Sequence, residues 1–96
     1  MRISAFEREV IVNAITACDP EAGIWLFGSR TDDSQKGGDI DIGILSGKID
    51  FIKKLGIKSD ICEKIGEQKI DLVVSKTGDT AFFKYAIMEQ GILLNG

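Results

Sequence analysis

Histidine is missing from this 96-residue chain. Its absence rules out histidine-based triads and HExxH zinc chemistry, and leaves carboxylates as the plausible metal ligands. Cysteine is scarce. Cys18 and Cys62 lie far apart without CxxC spacing, so they read as free, partly buried thiols of a cytoplasmic protein. No apolar run approaches the roughly 20 residues of a membrane span, and the start MRISAFEREV lacks a signal-peptide core. Basic residues are not in excess either: the net charge is -3, with acids and bases interleaved. A chain without a basic stripe is not expected to bind nucleic acid strongly, although a bound cation would still let it take a nucleotide. The length fits one domain over residues 1–96, with one modest core and little surface for an elaborate pocket.

Local patterning divides the chain into alternating elements. Ser4-Ala5-Phe6-Glu7 is a capping box, and Phe6, Val10, Ile11, Ala14, Ile15 and Ala17 follow at helical spacing to about Cys18. Asp19-Pro20 ends that helix, because proline disfavours helix in the residue before it. Ile24 to Phe27 reads as a buried strand, Ser29 to Gln35 as one or two helical turns, and Gly37-Gly38 as a turn. A second strand runs from Asp39 to Leu45, ended by Ser46-Gly47. Asp50 caps a helix to Ile65 with an expected inner face of Phe51, Ile52, Leu55, Ile61, Cys62 and Ile65, and Gly66 stops it. Lys69 to Ser75 is a third strand. Asp79 or Thr80 caps a last helix carrying Phe82, Phe83, Ala86, Ile87 and Met88, and the tail ILLNG can add an edge strand. Alternation of this kind predicts an α/β (α+β) chain. The first two strands are only about a dozen residues apart, which does not call for a regular parallel crossover between them.

The chemistry concentrates in LFGSRTDDSQKGGDIDIGI, Leu26 to Ile44. Asp39 and Asp41 alternate with Ile40 and Ile42, so period two sends both carboxylates to one sheet face and the isoleucines to the other. Acids so placed in an apolar strand are costly unless a cation sits between them. Asp71, between Ile70 and Leu72 of the third strand, can bring a third carboxylate to the same face. Oxygen ligands alone suit Mg²⁺ or Mn²⁺, which complete their shells with substrate phosphates. Gly28-Ser29 closes the preceding strand, where free N–H groups and a serine hydroxyl can hold a phosphate, and Arg30 can fork onto the same anion. Each feature has a plain reading of its own. Gly-Ser is an ordinary turn with a cap, Asp39 a strand-start residue, Asp71 an acid harmlessly exposed on an edge strand, Arg30 and Lys36 solvated charges, and Trp25 a core or partner contact. Their joint occurrence carries the weight.

A Gly-Ser pair, nine residues, then DID, with a later strand acid in KIDLVV, resembles the nucleotidyltransferase fold of the DNA polymerase beta superfamily. The resemblance is narrower still to the minimal nucleotidyltransferases, small proteins with a Gly-Ser-Arg start and no appended domain. It covers essentially the whole chain, including the closing EQGILLNG. One departure lies in the linker, which reads TDDSQK where relatives often carry a more basic stretch.

The resemblance implies a small mixed sheet of three to four strands flanked by about four helices. It further implies transfer of a nucleoside monophosphate to a hydroxyl, with pyrophosphate leaving. Asp39 and Asp41 would bind both of two Mg²⁺ (or Mn²⁺) ions, and Asp71 one ion and the acceptor proton. Gly28 and Ser29, with Arg30, would hold the triphosphate of ATP. It also implies a partner, because relatives of this kind pair as antitoxins with helical HEPN-type toxins and transfer AMP to a toxin tyrosine. Contact-only neutralisation and a small-molecule acceptor such as an aminoglycoside are the alternatives. Homo- or hetero-oligomerisation stays open, with Phe82, Phe83, Tyr85 and the ILL tail serving either an interface or the core.

Overall fold

The computed structural model describes residues 3–27, 40–66, 70–76, 81 and 91–95. Two helices and four strands are defined there: α1 (Ala5–Thr16), β1 (Gly23–Phe27), β2 (Ile40–Leu45), α2 (Phe51–Ile65), β3 (Ile70–Ser75) and β4 (Ile92–Leu93). The helical turns expected over 29–35 and the last helix, apart from the helical residue Ala81, lie outside the described residues.

Both helices begin where the local chemistry places them. Ser4 Oγ accepts from the Glu7 N–H at 3.0 Å and Glu7 Oε1 accepts from the Ser4 N–H at 2.8 Å. Asp50 accepts from the Lys53 N–H at 2.8 Å. Each cap satisfies amide donors that the first helical turn leaves open. At the far end of α2, Gly66 takes φ +89°, a left-handed value that costs glycine little.

The strands form one mixed sheet in the order β3-β2-β1-β4. β1 pairs antiparallel with β2 and with β4, and β2 pairs parallel with β3 across α2. Alternation then sorts side chains by face. Ile24, Leu26, Ile40, Ile42, Ile44, Ile70 and Leu72 share one face and one core with Val10, Ile11, Ala14 and Ile15 of α1 and Ile57 and Ile61 of α2. Asp41, Gly43, Trp25, Phe27, Asp71 and Val73 fall on the opposite face.

The expected inner face of α2 is corrected. Phe51, Ile52 and Leu55 are 67 %, 74 % and 49 % exposed, whereas Ile57 and Ile61 are buried. Successive residues turn by about 100° around a helix, so Phe51 and Ile57, six residues apart, sit on different sides. The sheet takes the Ile57–Ile61 stripe, with the partly buried Cys62 and Ile65 beside it. On α1, Phe6 and Ala17 are likewise exposed, outside the stripe from Val10 to Ile15.

The C-terminal tail forms the edge strand that its sequence allowed, and long-range polar contacts hold it. Asn95 Oδ1 accepts from the Ile24 N–H at 3.1 Å and Asn95 Nδ2 donates to the Ala22 carbonyl at 2.6 Å. The Arg8 guanidinium forks onto the Leu94 carbonyl, with Nε at 2.8 Å. A two-residue strand would be marginal without such pins.

Candidate functional site

The acids of β2 and β3 meet through register. Parallel pairing sets Asp41 opposite Asp71, and antiparallel pairing sets Phe27 opposite Asp41. The three residues form one row across adjacent strands, about 4.8 Å apart from strand to strand. The row lies on the sheet face opposite the one that packs against α1 and α2. Ile40 and Ile42, flanking Asp41, are buried at 0 % and 1 % exposure in the core behind it. The alternation of DIDI therefore does what its period predicts for Asp41: a hydrophobic anchor on each side and a half-buried carboxylate on the working face. Asp71 is exposed at the edge of the sheet.

Positions 28–30 and Asp39 lie outside the described residues, so the structure brings together Asp41 and Asp71 of the expected set. Among the described residues no three acids converge as a metal cluster. The pair that is described fits the cation expected for it in donor chemistry, with two hard carboxylate oxygens in register and no nitrogen or sulfur ligand nearby in the row.

Phe27 ends β1 immediately before Gly28-Ser29, and its ring is held on a small apolar cluster with the half-buried Trp25 and Leu45. Gly91 packs against the same ring. A Cβ at position 91 would stand 2.7 Å from Phe27 Cδ1 and closer still to Cε1. The end of β1 is thus seated against Gly91 of the C-terminal segment. Trp25 takes the cluster position expected of a core contact.

Residues 11–96 match the family described as Polymerase beta, Nucleotidyltransferase. The chain belongs to that nucleotidyltransferase family. No curated protein matches this nucleotidyltransferase significantly. Among solved structures, it is similar to one described as the crystal structure of the toxin-antitoxin with AMP-PNP. The two share 24 % identity and a TM-score of 0.71, over 93 % of this chain and 73 % of the other. At that identity the likeness establishes the fold. The mixed sheet and its two described helices agree with the fold class read from the sequence.

A second polar pair joins two loops of this nucleotidyltransferase and had no counterpart among the sequence motifs. Asp19, 3 % exposed, accepts from Ser46 Oγ at 2.5 Å and from the Glu21 N–H at 3.0 Å. Ser46 Oγ in turn accepts from the N–H groups of Lys48 and Ile49. The Ser46 hydrogen bond holds the Asp19 carboxyl below its ordinary value of 3.8, against the opposing effect of burial. The Glu21 amide and the charges of Lys48 and Lys53 lower it further. Asp19 read as a helix stop in the sequence. Its partner lies 27 residues away, beyond the reach of local pattern.

Proposed function

We propose that this chain transfers AMP from ATP to a hydroxyl acceptor, a tyrosine of a helical HEPN-type toxin, and so acts as the antitoxin of a pair. The observation that carries the reading is the in-register row of Asp41 and Asp71 on one sheet face of a polymerase beta-type nucleotidyltransferase. The fold shared with a toxin–antitoxin crystal structure containing AMP-PNP supports the choice of partner and nucleotide.

In the proposed reaction the acceptor oxygen bonds to the α-phosphorus of ATP, the bond to the β-phosphate oxygen breaks, and pyrophosphate leaves. Asp71, exposed at the strand edge, takes the acceptor proton. Asp39, Asp41 and Asp71 are the residues that would hold two Mg²⁺ or Mn²⁺ ions. Those ions would supply charge neutralisation at the attacking and leaving oxygens. Gly28 and Ser29 present N–H and hydroxyl donors to the triphosphate, and Arg30 adds a guanidinium. Strand-borne carboxylates lose little freedom when substrate arrives, so positioning contributes much of the rate. The free, half-buried thiols of Cys18 and Cys62 fit a reducing, cytoplasmic setting.

The test is incubation of the chain with α-labelled ATP and Mg²⁺, with and without the protein encoded by the neighbouring gene. Label on a tyrosine of that protein, lost with EDTA, is the expected result. A complex that forms without labelling favours neutralisation by contact, and label on an aminoglycoside or an RNA end moves the acceptor to another class.

A further inference from the structure

Helix α2 carries a second apolar stripe that its own core does not use. Phe51, Ile52 and Leu55 stand 67 %, 74 % and 49 % exposed on its first two turns. Singly exposed apolar residues are ordinary, but three in a cluster on one helix are a surface of another kind. The stripe runs into a groove of about 580 Å³ between the start of α2 and the C-terminal ends of β2 and β3. Ile49, Phe51 and Val74 give that groove an apolar lining, with Lys54 and Lys76 at its margin. Asp41 and Asp71 sit toward the opposite ends of the same strands, so groove and carboxylate row are separate features.

Charge separates the candidate occupants. The chain is acidic overall, yet Lys48, Lys53, Lys54 and Lys58 cluster at the start of α2, where Asp50 is committed to capping the helix and Asp19, which Lys48 and Lys53 also influence, is buried against Ser46. Lys76 adds to the same margin. None of these five lysines forms an ion pair among the described residues; Lys53 Nζ donates to the Lys48 carbonyl. A second copy docking stripe to stripe would bring these lysines against their equivalents. An anionic membrane would also meet Asp60 and Glu63 farther along α2, and a nucleic acid gains little from exposed isoleucine and leucine. An apolar protein surface edged by carboxylates satisfies both the stripe and its lysines.

We infer that Phe51, Ile52 and Leu55, with the adjoining groove, dock an acidic amphipathic helix of a partner protein. The inference rests on the proposed function only in taking that partner to be the neighbouring gene's product. Binding occurs away from the carboxylate row and therefore does not depend on catalysis.

The experiment uses the full chain co-expressed with the neighbouring gene's product, with affinity measured by calorimetry at low and high salt. Ile52→Asp combined with Leu55→Asp should weaken the complex at least about tenfold while leaving the thermal melt in place. Both positions are exposed, and an acid in the first helical turn suits the dipole. Lys54→Glu with Lys58→Glu should weaken it and flatten its salt dependence. Asp41→Asn should bind as the unaltered chain does. That pattern of binding, with no label transferred by the unaltered chain, would overturn the proposed reaction and leave the docking surface standing. Undiminished binding by the Ile52/Leu55 variant, or no complex at all, would overturn the inference. So would self-association abolished by that variant, or tighter binding to phosphatidylserine vesicles or an RNA oligonucleotide.

Discussion

The ring of Phe27 occupies the space into which a side chain at Gly91 would project, so the end of β1 and the segment before β4 are fitted to each other. Gly91→Ala should therefore destabilise the fold by about 1–3 kcal/mol, the usual range for overpacking. Urea unfolding measures the loss. Adding Phe27→Leu should recover part of it by vacating the space. A Gly91→Ala protein as stable as the original would show that the ring moves aside freely.

Asp41→Asn should separate chemistry from folding. The variant keeps a cooperative melt, because the side chain is only half-buried and the amide matches the carboxylate in shape. Removing one of two like charges in adjacent register also relieves repulsion. Nucleotide transfer should fall at least about a hundredfold. The rise in melting temperature on adding Mg²⁺ should shrink in parallel, giving a readout that does not depend on turnover.

The Asp19–Ser46 bond makes stability depend on pH. The Asp19 pKa is depressed in the folded protein, so its contribution is fully present above the unfolded value near 3.8 and is lost as pH falls through the lower folded value. Ser46→Ala removes the largest cause of that depression. Its urea midpoint should lie below that of the unaltered protein at pH 7, and the two should draw together as pH drops below about 4. A gap that stays constant from pH 7 to pH 3 would exclude the linkage.

Asn95 closes the sheet edge with its side chain rather than its backbone. Asn95→Ala forfeits the bonds to the Ile24 N–H and the Ala22 carbonyl, a loss of about 1–3 kcal/mol. Hydrogen exchange should locate the effect, with the Ile24 amide losing protection before those of β2. Uniform loss of protection would mean that β4 and the rest of the sheet open as one unit.

What could be read before folding was set by short-range rules. Ser4 and Glu7, Asp50 and its helix, and the Asp-Ile-Asp-Ile alternation are patterns within about four residues, and each matches the structure where it is described. The same alternation was enough to send Asp41 away from Ile40 and Ile42. The inner face of α2 was misread because two apolar stripes share one helix, and helical period alone ranks neither. Phe51, Ile52 and Leu55 point outward, and Ile57 and Ile61 point inward.

The sequence by itself thus determined element types, caps and strand faces among the described residues, since all of these follow from backbone periodicity and side-chain chemistry. Only the tertiary structure decided which strands are neighbours, that Asp41 stands opposite Asp71, that Asp19 finds Ser46, and which stripe of α2 is left for another molecule. Those outcomes depend on contacts between residues far apart in the chain. They are settled by the shared burial of whole faces rather than by any local preference.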